Sequence, residues 1–242
     1  MSISKGCIKL ENQLIAALPT SEYERLIPHL ERVPLSLQQV VYEECEPITH
    51  VYFPHEGIIS LVSTMEDGGT VEVGMVGNEG IVGMPVLWGG TSTITRAFVQ
   101  IPGSAMKIKG SLLKTEFDRG GALQTLLLRY TQALHTQVSQ GAACFRLHTI
   151  EQRLARWLLT VHDRMHRDEF PLTQEFIAQM LGTRRAGVTM AANSLSQAAM
   201  IRYTRGRITI LNRNVLEATS CECYKTIQGE FTRLLGNCER SH

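Results

Sequence analysis

The sequence of 242 residues has no uninterrupted apolar run of about 18 residues, so we expect no transmembrane helix. The N-terminal string MSISKGCIKLENQL also lacks the basic-then-apolar pattern of a secretion signal. Hydrophobic residues make up 43% of the chain and charged residues 19%, which is typical of a folded globular protein. We therefore expect a cytoplasmic protein with no membrane partner.

The common catalytic motifs are missing as well. The chain contains no P-loop string, no HExxH motif and no readable Ser/His/Asp or Cys/His grouping. His50, His55 and Glu56 leave a cupin-like metal enzyme as an alternative, but two histidines one residue apart, as in cupins, do not occur. We expect no catalytic residues and no enzyme activity.

The six cysteines are scattered along the chain, at Cys7, Cys45, Cys144, Cys221, Cys223 and Cys238. Only Cys221 and Cys223 are close in sequence, and their one-residue spacing is not the usual C-x2-C spacing of a zinc site. His162 and His166 are four residues apart on an expected helix, a spacing that can hold zinc, but surface histidines are common. We expect free thiols, no metal ligands and no cofactor; a redox or metal role for Cys221, Cys223 and Cys238 stays open.

Lysine is absent from residues 146–215, which hold eleven arginines and five acidic residues, a net charge of +6. Residues 1–145 have a net charge of −4 and residues 216–242 a net charge of −1. Arginine can bind phosphates and guanine edges through two hydrogen bonds, which lysine cannot. The distribution favours a surface for a polyanion, with a solvated basic face as the alternative.

The N-terminal half combines helical and β-type patterns. Residues 10–31 have a helical pattern, and from about residue 35 to 110 short β-type runs alternate with glycine or proline breaks. Many short strands with such breaks predict an antiparallel sandwich or barrel.

A long helix is expected from residue 121 onwards. Its apolar residues are spaced by three or four positions, at Leu123, Leu127, Tyr130, Leu134 and Val138. This seam predicts a dimer interface; packing against the chain's own β domain is the alternative. A domain boundary is expected near 140–148, around Gly141, before another helix over about 149–165.

The most informative segment is PLTQEFIAQMLGTRRAGVTMAANSL, residues 171–195. Thr173 is a suitable N-cap for a short helix through Met180, and Gly182 suits a tight turn that needs a positive φ. Thr183 is expected to cap the helix that follows. Two short helices joined in this way predict a helix-turn-helix.

The second helix opens with Arg184 and Arg185. Guanidinium groups at the N-terminus of a helix in the major groove can reach guanine edges and phosphates, and Thr189 and Asn193 lie further along the same helix. We predict that these four residues, together with Thr173 and Thr183, contact DNA. An ordinary helical hairpin with exposed arginines is the alternative.

Residues 199–213 alternate as a β-hairpin. The inward positions are Ile201, Tyr203, Ile208 and Ile210, and the turn is Arg205–Gly206. A basic hairpin directly after the second helix predicts a wing whose Arg202, Arg205 and Arg207 contact phosphates.

In these motifs and their order the sequence resembles the Crp/Fnr family of transcription regulators over about residues 10–215, with the stretch LTQEFIAQMLGTRRAGV as the most specific part. The resemblance implies an α+β fold with an N-terminal antiparallel β-roll (a jelly-roll like that of cyclic-nucleotide-binding domains), a long dimerisation helix and a C-terminal winged helix-turn-helix. The expected boundaries are 1–120 for the sensor, 121–147 for the dimerisation helix and hinge, 148–219 for the winged helix-turn-helix and 220–242 for a helical tail. It further implies that Arg185 is the main base-reading arginine and that double-stranded DNA, a second copy of the chain and RNA polymerase are partners.

The resemblance also implies an effector pocket around Gly83, Met84, Arg96 and Ala97, but with two departures. Family members that bind cyclic AMP carry a Gly-Glu pair and then an Arg-Ser or Arg-Thr pair. Here Met84 stands where the glutamate is expected, and Arg96, followed by Ala97, is out of register by one position. A one-residue slip on a strand turns a side chain to the opposite face. We predict that Arg96 is a surface arginine and that cyclic AMP is not the effector.

Two further departures concern the other functional regions. The usual glutamate after the base-reading arginine is Ala186, and the later arginine is Met190, so we expect an operator that differs from the standard half-site. The oxygen-sensing branch uses a cysteine cluster at its N-terminus for an iron–sulfur centre. Only Cys7 lies near that end here, so we expect no such centre.

Overall fold

The structure, a computed structural model, describes residues 12–236. Two short helices, α1 (Gln13–Ala16) and α2 (Thr20–Leu26), and a 3-10 turn at Ile27–His29 precede a five-stranded antiparallel sheet. Its strands are β1 (Glu31–Leu35), β2 (Val40–Tyr42), β3 (His50–Thr64), β4 (Thr70–Val76) and β5 (Arg96–Lys109). Their order is β1-β5-β3-β4, with β2 also paired to β5, which confirms the predicted antiparallel β domain.

Two glycine breaks that we expected to separate strands lie inside the long strands β3 and β5. A Cβ atom on Gly57 would lie 2.5 Å from the Ile101 carbonyl oxygen, and one on Gly103 would lie 2.1 Å from that of Glu56. The strand register shifts on both sides of Glu56, as it does in a β-bulge. The glycines therefore permit close backbone approach within two bent strands rather than turns between four short ones.

The rest of the chain is mainly helical. It comprises a 3-10 turn at Met84–Val86, α3 (Gly110–Asp118), α4 (Ala122–Leu147), α5 (Ile150–Met165), β6 (Glu169–Pro171), α6 (Gln174–Met180), α7 (Arg185–Gln197), β7 (Ile201–Thr204), β8 (Arg207–Ile210), α8 (Arg213–Thr219) and α9 (Cys223–Leu235). This order confirms the predicted mixed fold of β domain, long helix and C-terminal helix-turn-helix. Within residues 12–236, no helix combines the length and apolar character needed to cross a membrane.

The long helix α4 runs without interruption through Gly141, which is buried within it. The break lies at His148 and Thr149, at the far end of the interval in which we expected the boundary. Thr149 accepts a hydrogen bond from the Gln152 backbone, and the Gln152 side chain bonds back to Thr149, which forms a capping box. This capping starts α5 and so separates the half of the chain that contains the five-stranded sheet from the C-terminal half.

The predicted dimer seam on α4 is wrong for four of its five residues. Leu123, Leu127, Tyr130 and Leu134 are at most 8% exposed within the single chain. They pack in one core with α1, α3 and the sheet, and the Tyr130 ring meets Phe231 of α9 edge-on at 6.3 Å. The seam is therefore already covered by its own domain and α9, whereas Val138 is 39% exposed.

The C-terminal helices pack directly on the five-stranded sheet. One core cluster includes sheet residues such as Ile58 and Met75 together with residues of α5 to α8. The Trp157 indole of α5 donates a hydrogen bond of 2.8 Å to Glu72 of β4, and the Arg164 guanidinium pairs with Glu79 at 2.8 Å. These contacts fix the position of the helix-turn-helix relative to the sensor.

Candidate nucleic-acid interface

Helices α6 and α7 form the predicted helix-turn-helix. The Thr173 hydroxyl accepts a hydrogen bond of 3.2 Å from the Phe176 backbone N–H, so Thr173 is the N-cap of α6 as predicted. Gly182 has a φ of +55° in the turn, a conformation that favours glycine. The turn closes with a backbone hydrogen bond of 2.9 Å from the Thr183 N–H to the Ala178 carbonyl.

The expected cap of the second helix is wrong by one residue. Thr183 uses its backbone N–H in the turn, and Arg184, in an extended conformation, is the N-cap of α7. No side chain caps the first N–H groups of α7. These groups and the positive end of the helix dipole therefore lie beside two arginines, which favours a nearby phosphate.

One face of α7 is buried and the other is exposed. The buried residues are Val188, Ala191, Ala192 and Leu195, and α7 packs on α5. Arg184, Arg185 and Asn193 are exposed, and Met190 is 74% exposed. The exposed face has the size and polarity needed to enter a major groove.

Arg185 is held only weakly. Its Nε lies 4.0 Å from a carboxylate oxygen of Glu175, and the two side chains are 67% and 77% exposed. An exposed pair at this distance contributes little to stability, so the guanidinium is available to a ligand. Among the described residues, Arg184 has no ion pair.

The wing consists of β6, β7 and β8, with the predicted two-residue turn at Arg205–Gly206. Both turn residues have a positive φ, which is the geometry of a type I′ hairpin. Ile201 and Ile208 face the core, so Arg202, which lies between inward residues, is exposed. The pairing of β6 with β8 was not predicted, because the three residues of β6 are too few to show an alternating pattern in the sequence.

The charge of the wing is only partly balanced. Arg207 pairs with Glu169 of β6 at 2.8 Å, with both side chains about half exposed. Arg202 and Arg205 are exposed and make no ion pair within the described part of the chain. Two uncompensated guanidinium groups therefore remain on the hairpin.

The first turn of α6 connects the wing to α7. The Gln174 backbone N–H donates to the Tyr203 hydroxyl at 3.1 Å, and the Thr189 hydroxyl of α7 donates to the Gln174 side-chain oxygen at 2.7 Å. The wing turn lies beside Thr173, whose methyl carbon would be 3.7 Å from a Cβ on Gly206. The helix α7 and the wing, which both carry exposed arginines, thus flank one segment at the start of α6.

Three of the predicted DNA contacts have structural roles in this arrangement. The Thr173 hydroxyl caps α6, Thr183 is half-buried in the turn, and the half-buried Thr189 joins α7 to α6. Asn193 is exposed on α7, one turn beyond Thr189. The geometry leaves Arg184, Arg185, Asn193 and the wing arginines as the groups that can face a ligand.

The predicted effector pocket is poor in polar groups. Gly83 precedes a 3-10 turn, and Met84 and Ala97 are at most 3% exposed. Arg96 is 40% exposed, lies 3.1 Å from a carboxylate oxygen of Glu43 and has its guanidinium 5.7 Å from the centre of the Phe98 ring. This position agrees with a surface arginine rather than one that points into the sheet.

Two of the histidines considered as metal ligands, His162 and His50, have other partners. The His162 ring nitrogens contact Asp168 at 2.9 Å and Arg213 at 2.6 Å, and the His50 ring contacts Thr49 at 2.9 Å. Within the described residues, the only set of three or more such groups that could hold a metal ion contains Cys144, His148, Cys221 and Cys223. Cys144 and His148 were not predicted as ligands, although their spacing of four residues on a helix was a usable signal.

Two family models match the chain, and together they cover well over half of it. The cyclic nucleotide-binding domain matches residues 32–119, and the Crp-like helix-turn-helix domain matches residues 152–219. A comparison with curated proteins found no match.

Solved structures of similar fold are numerous. FixK2 from Bradyrhizobium japonicum is 19% identical and has a TM-score of 0.69, with 79% of this chain and 98% of that chain covered. The c-di-GMP-responsive global regulator CLP from Xanthomonas campestris is 14% identical with a TM-score of 0.65, covering 79% and 99%. A CRP-family transcriptional regulator from Thermus thermophilus is 19% identical with a TM-score of 0.63, covering 78% and 96%. With both domains matched in this order, the chain belongs to the Crp/Fnr family of transcription regulators.

Proposed function

We propose that the chain is a homodimeric regulator that binds specific sequences in duplex DNA, with α7 in the major groove and the wing on the neighbouring backbone. The observation that carries the proposal is the exposed pair Arg184 and Arg185 at the start of α7, beside the exposed Arg202 and Arg205 of the wing. Such a regulator needs no catalytic residue and acts on DNA in the cytoplasm.

The two groups of arginines have different tasks in this proposal. Arg185 can donate two hydrogen bonds to the O6 and N7 atoms of a guanine, which distinguishes this base in the major groove. Arg202 and Arg205 neutralise phosphates, which contributes affinity and fixes the register without reading sequence. Because Met190 replaces an arginine on the exposed face of α7, we expect an operator different from the standard family half-site.

The test begins with selection of bound sites from a random DNA pool. We expect Arg185→Ala to lose about 1–3 kcal/mol per half-site, or about 5- to 150-fold in affinity, and to relax the preference at one base pair. Arg205→Ala should weaken binding to all sequences and make it less dependent on salt. Arg119→Ala removes an exposed arginine of the sensor half and should change neither property.

The outcome that contradicts the proposal is specific. If Arg185→Ala binds the selected site as tightly as the wild type, Arg185 does not read a base. If binding of the wild type does not fall steeply with salt, phosphate contacts do not dominate and the DNA-binding function is wrong.

We also propose that cyclic AMP is not the effector of the sensor domain. The expected carboxylate is replaced by the buried Met84, and Arg96 is engaged with Glu43 on the surface. Titration with cyclic AMP should therefore give no saturable heat. Saturable binding at micromolar concentration would contradict this part of the proposal.

A further inference from the structure

Four potential metal ligands meet where α4 ends and α9 begins. Cys144 lies in the last turn of α4, His148 is its C-cap, and Cys221 and Cys223 stand at the start of α9. The three sulfur atoms and a His148 ring nitrogen all lie within 4.8 Å of one another. The Sγ atoms of Cys144 and Cys221 are 3.5 Å apart, and His148 Nδ1 is 3.6 Å from the Cys223 Sγ.

The contacts of 3.5 Å and 3.6 Å fit the coordination shell of a single tetrahedral ion, and the remaining ligand atoms, within 4.8 Å, would move closer on binding. With Zn–S bonds of about 2.3 Å and Zn–N bonds of about 2.0–2.1 Å, neighbouring ligand atoms lie roughly 3.4–3.8 Å apart. Three cysteines and one histidine are a common ligand set of structural zinc sites. An iron–sulfur cluster distributes its ligands over several iron atoms and would need a wider arrangement.

The local structure explains why the four residues converge. Cys144 and His148 are four positions apart and therefore lie on one side of the helix end, where the His148 backbone N–H donates to the Cys144 carbonyl at 3.2 Å. Helix α9 packs along α4, which brings Cys221 and Cys223 to the same place from a distant part of the sequence. All three cysteines are at most 3% exposed.

The neighbours of the cluster are those expected around bound zinc. The His148 Nε2 lies 3.1 Å from a carboxylate oxygen of Glu222, so Nδ1 is oriented towards the sulfur atoms. The Gln140 side-chain amide donates to the Cys223 Sγ at 3.3 Å. A carboxylate that accepts a hydrogen bond from a ligating histidine favours the metal-bound form of that histidine. An amide that donates a hydrogen bond to a thiolate does the same for the thiolate.

Two buried arginines supply balancing charge. Three thiolates on one Zn²⁺ leave a net charge of −1, and Arg153 and Arg156 of α5 are each only 8% exposed. Their Nε atoms have no hydrogen-bond partner among the described residues, and the Arg153 guanidinium lies over the ring of Phe145, the residue after Cys144. Buried guanidinium groups are costly unless negative groups lie nearby.

We propose that Cys144, His148, Cys221 and Cys223 bind one zinc ion in a tetrahedral Cys3His site. Binding would release the three thiol protons and leave His148 neutral, with no change of oxidation state. The ion would join the end of α4 to the start of α9, beside the break at Thr149 where the DNA-binding half begins. The proposal replaces our expectation of free thiols and resolves the open question for Cys221 and Cys223; Cys238 lies outside the described residues.

The site also has a connection to the helix-turn-helix. Arg153 stacks over the Phe145 ring at 4.6 Å and donates a hydrogen bond to the Leu181 carbonyl, next to the turn at Gly182. Zinc would therefore stabilise the junction on which the DNA-binding unit rests. Loss of zinc should lower the stability of this junction before it changes the sensor.

The first experiment is metal analysis of the full chain purified without chelator from zinc-supplemented cells. We expect one zinc per chain, and replacement by Co²⁺ should give the strong visible absorption of a tetrahedral cobalt thiolate. Cys221→Ser should lose the metal, whereas Cys45→Ser, which removes an exposed thiol far from the cluster, should retain it.

A milder variant keeps the test valid if the cysteine variants do not fold. Glu222 is 75% exposed and only orients His148, so Glu222→Gln should fold and bind zinc about 10- to 100-fold more weakly in a chelator competition. Glu230→Gln on the same helix should bind zinc as the wild type does.

Three results would overturn the proposal. The first is that the reduced protein contains no zinc and shows no absorption of a tetrahedral cobalt thiolate after Co²⁺ is added. The second is stoichiometric iron with sulfide, and the third is a Cys144–Cys221 disulfide found by mass spectrometry in protein kept under reducing conditions. None of these results affects the test of DNA binding through Arg185.

Discussion

Glu72 on β4 is a buried carboxylate whose partners indicate its protonation state. The Ser60 hydroxyl lies 2.7 Å from one Glu72 oxygen and 2.6 Å from the Gln100 side-chain oxygen, but it has only one hydrogen to donate. If Glu72 is protonated, it donates to Ser60, Ser60 donates to Gln100, and the other Glu72 oxygen accepts from Trp157. Burial raises the pKa of Glu72 to about 7, although Arg156 and Arg164 oppose this effect.

The raised pKa predicts a stability that depends on pH. The folded protein retains the Glu72 proton up to about pH 7, while the unfolded chain loses it near pH 4.5, so the free energy of unfolding falls as pH rises between these values. The loss should reach about 3 kcal/mol above pH 7. Glu72→Gln imitates the protonated form, so denaturant titrations from pH 5 to 8 should show the variant gaining stability relative to the wild type.

The matched control is Glu66→Gln, which changes an exposed carboxylate in the turn before β4. This variant should follow the wild type over the whole pH range. If the wild type and Glu72→Gln differ by a constant amount at every pH, Glu72 is ionised in the folded protein and the protonated network is wrong.

Individual side chains were predictable where their neighbours are local. The cap at Thr173 and the turn at Gly182 depend on residues within a few positions, and both were predicted. The inward orientation of Thr189 depends on Gln174 in another helix, which the spacing within α7 does not reveal. The metal cluster depends on the packing of α9 on α4, and only the position of its cysteines and histidine was visible in the sequence.

At the scale of elements, the helix-turn-helix and the wing were predicted because each carries its own signals. Alternation of apolar residues and a two-residue turn define the hairpin, and a periodic apolar face defines α7. The antiparallel class of the β domain was predicted correctly, but the strands were predicted to be shorter than they are. A glycine can end a strand or permit a bulge within it, and only the partner strand decides between these outcomes.

Helix α4 shows why an apolar seam does not identify its partner. The spacing of Leu123, Leu127 and Tyr130 correctly predicted a buried face of a helix. Periodicity shows which face of a helix is buried but not which element packs against it. Here the buried face packs against the chain's own sheet and α9. A dimer formed along α4 would therefore use an exposed flank of the helix rather than this seam.

At the scale of the whole molecule, the exposed flank of α4 beside this buried face has the properties of a contact between two copies. Leu128 is 50% exposed and Val138 39% exposed, and His135 and Ala142 are exposed between and beyond them. Exposed apolar residues along one side of a 26-residue helix suit packing against the same helix of a second copy around a two-fold axis. Such an axis would place two copies of α7 for two related half-sites on DNA.

We predict that the double variant Leu128→Glu, Val138→Glu is monomeric. Carboxylates brought together across a two-fold axis repel at a cost of several kcal/mol, so dimerisation should weaken by on the order of 100-fold or more. Sedimentation equilibrium at micromolar concentration would measure this change.

Arg129→Glu, which adds a carboxylate on another exposed side of α4, should remain dimeric. Because dimerisation stabilises the folded chain by mass action, the monomeric variant should melt below the wild type, while its circular dichroism should remain that of the folded protein, since both positions lie outside the buried core. A double variant that stays dimeric would place the interface elsewhere, while a wild-type monomer that binds a single half-site would exclude the homodimer.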